Sequence, residues 1–220
     1  MIYLTHLLNE KTPAYANDPN ALKIVPASRI ADGAEANTLQ LSLSNHVGTH
    51  IDFPRHFDDG GKVLDDFPAD FWDFKQVQLL DLPCEAGYLI TVADLEGKIA
   101  LGTELLLIRT GFERLRDQPV YWHNNPAMDK GVGLWLREKF PAMRALGFDS
   151  ISMNCYQKET IGCTVHREFL ASDHPGKPIL IIEDMKLAHI AGGIARAVVA
   201  PLLISGADGA QVTILAEETI

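Results

Sequence analysis

The run His46-Val47-Gly48-Thr49-His50-Ile51-Asp52-Phe53-Pro54-Arg55-His56 constrains this chain more than any other stretch. It places three imidazoles and one carboxylate at positions 46, 50, 52 and 56, with Gly48 and Pro54 between them. The chain has 8 His in 220 residues, so an even spread would put fewer than one in such a window. Imidazole nitrogen and carboxylate oxygen are the donor set for Zn²⁺ and for harder cations such as Mn²⁺. The cluster reads as a metal centre.

No regular element can deliver all four groups to one ion. A straight strand would put them on one face, but at about 3.3 Å per residue it leaves His46 and Asp52 roughly 20 Å apart. A helix would pair His46 with His50 and Asp52 with His56. Gly48 and Pro54 both oppose a helix interior, and Val47, Thr49 and Ile51 favour extended backbone. The segment is therefore expected to leave a strand and coil tightly, with Gly48 permitting the bend.

The rest of the composition sets the frame. Hydrophobic residues make up 47% and charged residues 22%, an ordinary globular balance. A single domain over residues 1–220 is the expected organisation. The formal net charge of -10 argues against nucleic acid and anionic membrane as partners. Cys84, Cys155 and Cys163 are odd in number and widely spaced, so no disulfide framework is expected. No leader pattern is visible, and no apolar run reaches the 18 or so residues of a spanning helix. The cytoplasm is the expected compartment.

Ile2–Leu8 and Leu22–Val25 read as short strands around a loop from Pro13 to Asn20. Thr38–Ser44 alternates Leu39, Leu41 and Leu43 with polar residues, the pattern of a half-buried strand feeding the His cluster. Val77–Leu82 and Leu105–Ile108 are apolar enough for central strands. Thr91-Val92-Ala93-Asp94 resembles a capping box, and Val132–Phe140 has helical spacing. Ile179–Ile182, Ala195–Ile204 and Gln211–Leu215 read as later strands. Strands and short helices mix without a βαβ rhythm, so the fold class is α/β with a mixed, largely antiparallel sheet.

Further ligands must come from elsewhere in the chain. Glu183 ends the run Ile179–Ile182, where a carboxylate is either exposed or committed to a partner. His166 lies in Thr164–Ala171, which reads as a short helix, and is favoured over His174 in a Ser/Asp/Pro loop. Cys163 is expected to be a small buried thiol, and Trp72, Phe74, Trp122 and Trp135 to be core aromatics.

The pattern His46-x-Gly48-Thr49-His50-x-Asp52-x-Pro54-x-His56, followed by Phe57 and Gly60-Gly61, resembles the signature of a metal-dependent hydrolase family. That family includes bacterial kynurenine formamidase, isatin hydrolase and proteins described as cyclases. Arg109-Thr110-Gly111, Gly147-Phe148-Asp149, the pair His166 and Glu183, and Gly206-x-Asp208-Gly209 extend the resemblance over essentially the whole chain.

The resemblance implies a swivelling β/β/α fold and a homodimer or homotetramer acting on a small molecule. It implies two ions of Zn²⁺ or Mn²⁺. His46, His50 and Asp52 would hold the first, with Asp52 also reaching the second; Glu183 would bridge the two ions, and His166 would complete the second site. His56 would be the unliganded acid/base. Such a site suits hydrolysis of a formamide or cyclic amide by a hydroxide nucleophile. Where kynurenine formamidases carry a stacking Trp, this chain has Tyr15, the expected wall for a planar substrate. A lactone hydrolase or cyclase, and a non-catalytic metal-binding relative, are the alternatives.

Overall fold

The computed structural model describes residues 1–219, without the side chains of 158–162. In the N-terminal half the strands are β1 (Ile2–Tyr3), β2 (Leu22–Ser28), β3 (Thr38–Leu43), β4 (His50–Asp52), β5 (Asp73–Phe74), β6 (Val77–Asp81) and β7 (Leu89–Ile90). They are followed by β8 (Leu105–Arg109), β9 (Ala127–Met128), β10 (Ala145–Phe148), β11 (Leu180–Glu183), β12 (Ile194–Pro201) and β13 (Gly209–Glu218). The helices are α1 (Val92–Leu95), α2 (Pro119–His123), α3 (Val132–Lys139) and α4 (Glu159–Leu170). Among the described residues none is long and apolar enough to cross a membrane.

The main sheet has nine strands in the order β5-β12-β13-β4-β11-β10-β8-β6, with β1 added on β13. From β11 through β10 and β8 to β6 the pairing is parallel, and from β11 through β4 and β13 to β5 it is antiparallel. Direction therefore changes at the β4–β11 pair, the middle of the sheet. β12 also packs against β6, so the sheet curls towards a barrel. Ile51, Leu105–Ile108 and Ile181–Ile182 are fully buried, and because strand side chains alternate, they carry the core to both faces of the sheet.

The mixed sheet follows the expectation, but the parallel half does contain βαβ crossovers. Those crossovers run through α1 of four residues, through α2 and α3 of five and eight, and through α4 of twelve, so only the last is long enough to show a sustained helical period. The capping box is present: the Asp94 carboxylate accepts from the Thr91 N–H and hydroxyl, both at 2.8 Å. β6 ends the sheet and is only partly buried, so it is not the central strand its apolar run suggests.

β3 also departs from expectation. It pairs only with β2, in a hairpin outside the main sheet. The register sets Leu22, Ile24 and Pro26 opposite Leu43, Leu41 and Leu39, so one face of the hairpin is apolar throughout. Leu22 and Leu43 pack on Ala14, Ala21 and Val47, but Leu39 and Leu41 are exposed by 63% and 51%. Alternation marks an apolar face without saying what covers it.

Candidate metal centre

The His-rich run bends twice. Gly48 has φ +68°, which strains any other residue, and a Cβ there would lie 2.4 Å from Leu8 Cδ2, so glycine turns the chain into β4 without strain. After β4, Pro54 opens a 3₁₀ turn over Pro54–His56, closed by bonds from the His56 and Phe57 N–H groups to the carbonyls of Phe53 and Pro54. Between the bends, His50 and Asp52 alternate on one face of a three-residue strand. The two turns bring His46 and His56 together until their rings stack, with centroids 3.9 Å apart.

Two sets of donors result. In the first, His46 Nδ1 lies 2.9 Å from Asp52 Oδ1, with His56 alongside. In the second, His50 Nε2 lies 3.4 Å from Asp52 Oδ1 and 3.5 Å from Glu183 Oε2. Glu183 faces His50 because the two are register partners across β4 and β11. Its other oxygen accepts from the Met153 N–H at 2.6 Å and the Ser152 hydroxyl at 3.2 Å, and stands 3.6 Å from His166 Nε2. His50, Asp52, His166 and Glu183 are all buried.

His50 tests whether these groups suit a cation. Its Nδ1 lies 2.8 Å from the Gly48 carbonyl oxygen, which can only accept, so Nδ1 carries the hydrogen. In the neutral ring that binds a metal, Nε2 then turns its lone pair towards two carboxylates, at distances longer than an ordinary hydrogen bond. Donors about 2.0–2.1 Å from a shared tetrahedral Zn²⁺ are separated by roughly 3.3 Å, close to both spacings. Buried acceptors converging in this way repel unless a cation lies between them.

Electrostatics separates the two stacked imidazoles. Burial opposes charge on His46, but hydrogen bonds and charge from Asp52 and Asp208 overcome it and raise its pKa to about 9. Burial lowers His56. Burial would raise Asp52, yet the His46 hydrogen bond and the surrounding imidazoles hold it well below the usual carboxylate range.

Asp208 is the participant to which the sequence reading assigned no role. Its Oδ2 lies 3.1 Å from both His46 Nε2 and His56 Nδ1, and its Oδ1 accepts from Asn45 Nδ2 at 2.6 Å. The Phe53 N–H donates to its carbonyl, tying the turn before β13 to β4. Next to it, a Cβ on Gly209 would lie 2.4 Å from His46 Cε1, so glycine makes room for the ring. The quoted pattern Gly206-x-Asp208-Gly209 was the signal that could have found this carboxylate.

The remaining expected residues divide. His166 sits on α4 with Phe57 stacked on its ring at 4.5 Å. His174 stays apart: Arg137 donates to the carbonyls of Ala171, His174 and Gly176, anchoring residues 172–177 along α3. Tyr15 joins the centre indirectly, its hydroxyl accepting from Asn154 Nδ2 at 3.0 Å, close to the Ser152 and Met153 groups on Glu183. Cys163 is exposed rather than buried, because Val165, Phe169 and Leu170 are the apolar residues α4 packs into the core. Trp72 and Phe74 are core residues as expected.

Known proteins share this architecture. A kynurenine formamidase from Bacillus anthracis is 31% identical over 192 residues, covering 82% of this chain and 80% of the relative. Two solved structures superpose with TM-scores of 0.76: isatin hydrolase A from Labrenzia aggregata bound to benzyl benzoate, and a predicted metal-dependent hydrolase from Bacillus stearothermophilus. The first is 19% identical and covers 98% of this chain and 92% of that one; the second is 22% identical, covering 98% and 96%. The family model described as putative cyclase matches residues 2–154, a span that holds the whole run from His46 to His56, and the chain belongs to this cyclase family.

Proposed function

We propose that the chain, as one domain over residues 1–220, is a metal-dependent hydrolase of amide-type C–N bonds. The substrate class is a formamide such as N-formylkynurenine, or a cyclic amide. The observation that carries this reading is the His50 Nε2 lone pair aimed at the carboxylates of Asp52 and Glu183, with His166 on the far oxygen of Glu183. The kynurenine formamidase and isatin hydrolase relatives support it.

The ligands are grouped differently from what the resemblance implied: His50 joins Asp52, Glu183 and His166, which would hold one ion, and His46 with Asp52 would hold a second. Bound there, Zn²⁺ or Mn²⁺ supplies Lewis-acid polarisation of a carbonyl and an acidified water. The protein's own part is proton traffic and orientation. Asp208 accepts from His56 Nδ1, which leaves Nε2 to take a proton from the attacking water and deliver it to the departing amine. Tyr15, steadied by Asn154, presents a face for a planar substrate.

The test is metal analysis of the purified protein, then turnover of N-formylkynurenine, isatin-like lactams and lactones by metal-loaded and metal-stripped enzyme. Amide turnover that vanishes on chelation and returns with Zn²⁺ or Mn²⁺ supports the reading. Turnover of lactones with every amide inert moves the chain to the lactonase or cyclase class. Metal binding without turnover makes it a binding relative.

We further propose a homodimer or homotetramer in the cytoplasm. Three free thiols suit a reducing compartment. The uncharged face of half-buried Ile24 and exposed Pro26, Leu39 and Leu41 lets two copies of a chain with net charge -10 meet without opposing like charges. Light scattering that reports a monomer overturns this.

A further inference from the structure

The donors His50 and Glu183 point to one face of the β4–β11 pair, so their chain neighbours Thr49 and Asp184 belong to the opposite face. There a second network is built. The Thr49 hydroxyl donates to the Asp184 carbonyl at 2.6 Å and accepts from the His6 N–H at 3.0 Å. The Asp184 carboxylate receives Arg116 through two bonds, Nε to Oδ1 at 2.8 Å and Nη2 to Oδ2 at 2.6 Å. The Tyr121 hydroxyl adds a third at 2.6 Å, and the Asp184 N–H donates to the Ser150 carbonyl at 2.8 Å. Asp184 is 1% exposed, and Tyr121 is fully buried.

The backbone of Asp184 makes this network more than core filling. Its φ is +53°, a left-handed conformation in a residue that is not glycine. Such geometry persists only where the surroundings over-determine it. Every polar group of Asp184 is engaged, and the turn it makes begins at the peptide bond after Glu183. None of the clamping side chains is a donor at the metal centre. Arg116, Thr49 and His6 instead line a cleft of about 1060 Å³ to which no donor residue contributes.

We propose that Arg116, Tyr121 and Thr49 act through Asp184 as positioning residues: by holding its strained turn they set the spacing between His50 and Glu183 and so the affinity of the site for metal. The inference rests on the reading of Glu183 as a metal ligand. Partners that orient ligands are typically worth 10–100-fold in metal affinity.

The experiment is a chelator competition that gives Kd for Zn²⁺ and Mn²⁺, beside thermal unfolding of the metal-free protein. The variants are Asp184→Gly, Arg116→Lys, the double variant Arg116→Met/Asp184→Gly, and Glu183→Gln. Asp184→Gly tolerates the left-handed turn without the clamp, and the double variant also leaves no guanidinium without its carboxylate. Both are expected to weaken metal by 10–100-fold while the metal-free protein still unfolds cooperatively, with lost turnover restored at high metal concentration. Arg116→Lys, which keeps the charge but not the fork, is expected to recover only part of the affinity.

Wild-type Kd in Asp184→Gly and in the double variant would overturn the proposal. So would an affinity loss that only follows a cooperative loss of fold. Wild-type Kd in Glu183→Gln would overturn the ligand reading itself, whereas loss in Glu183→Gln with retention in the Asp184 variants sinks the clamp alone.

Discussion

The imidazoles of His46 and His56 stack with their planes 22° apart, and both reach the same oxygen of Asp208. Only one of the two is also bound to Asp52. The pair is therefore chemically unequal: His46 is held at both nitrogens, His56 at Nδ1. His56→Ala is expected to keep its metal and lose about 10²–10⁴-fold in turnover, the usual worth of a positioned acid/base. Asp52→Asn is expected to lose metal instead. Elemental analysis beside kcat decides, and the opposite pattern means the roles are exchanged.

Metal stoichiometry should likewise distinguish the distal histidines. His166→Ala is expected to lose bound metal, since its Nε2 lies 3.6 Å from Glu183. His174→Ala is expected to keep it, because Arg137 holds the backbone around His174 against α3. Loss in the second variant and retention in the first would reverse the assignment.

Tyr15→Ala is expected to raise KM more than it lowers kcat, because stacking is made in ground and transition states alike. Asn154→Ala should give a weaker version of the same change, as it removes one hydrogen bond to the Tyr15 hydroxyl without removing the ring. A fall in kcat with KM unchanged would place Tyr15 in the chemistry rather than in binding.

His6 supplies a pH prediction away from the metal centre. Burial, reinforced by Arg116 and partly offset by Asp184, lowers its pKa to about 4, and its side chain is only 15% exposed. The unfolded chain binds a proton at this site below about pH 6.5, and the folded chain does so only below about 4. Stability should therefore fall as pH drops through that window, by about 3 kcal/mol at most. Metal-free wild type and His6→Gln, compared by urea unfolding at pH 7 and 5, should converge at the lower pH. A constant gap removes His6 as the cause.

The reach of sequence reasoning varied with how much chemistry each residue type carries alone. The His46–His56 run and its bend at Gly48 were legible, because ligand-type side chains and glycine are informative without their neighbours, whereas the strand His50–Asp52 inside the expected coil was not. Asp208 was not, since one acid in a glycine turn looks like many of the 29 acidic residues here. Asp184 passed unremarked for a similar reason: an Asp after a strand ordinarily faces water, and only the fold brings Arg116 and Tyr121 to it. The alternation in β3 was seen correctly, but its face is left open by this chain, a property of tertiary arrangement rather than of pattern.

The position of the β4–β11 seam has a consequence for how such a protein changes over time. His50, Asp52 and Glu183 stand on the two innermost strands, whose amides should exchange with solvent last, whereas Tyr15 stands on a three-residue turn outside the sheet. The parts that would hold metal and the part that would meet substrate thus lie in regions of very different local stability. Substitutions around Tyr15 can accumulate and redirect substrate preference while the inner strands, and the reactivity they carry, are inherited unchanged.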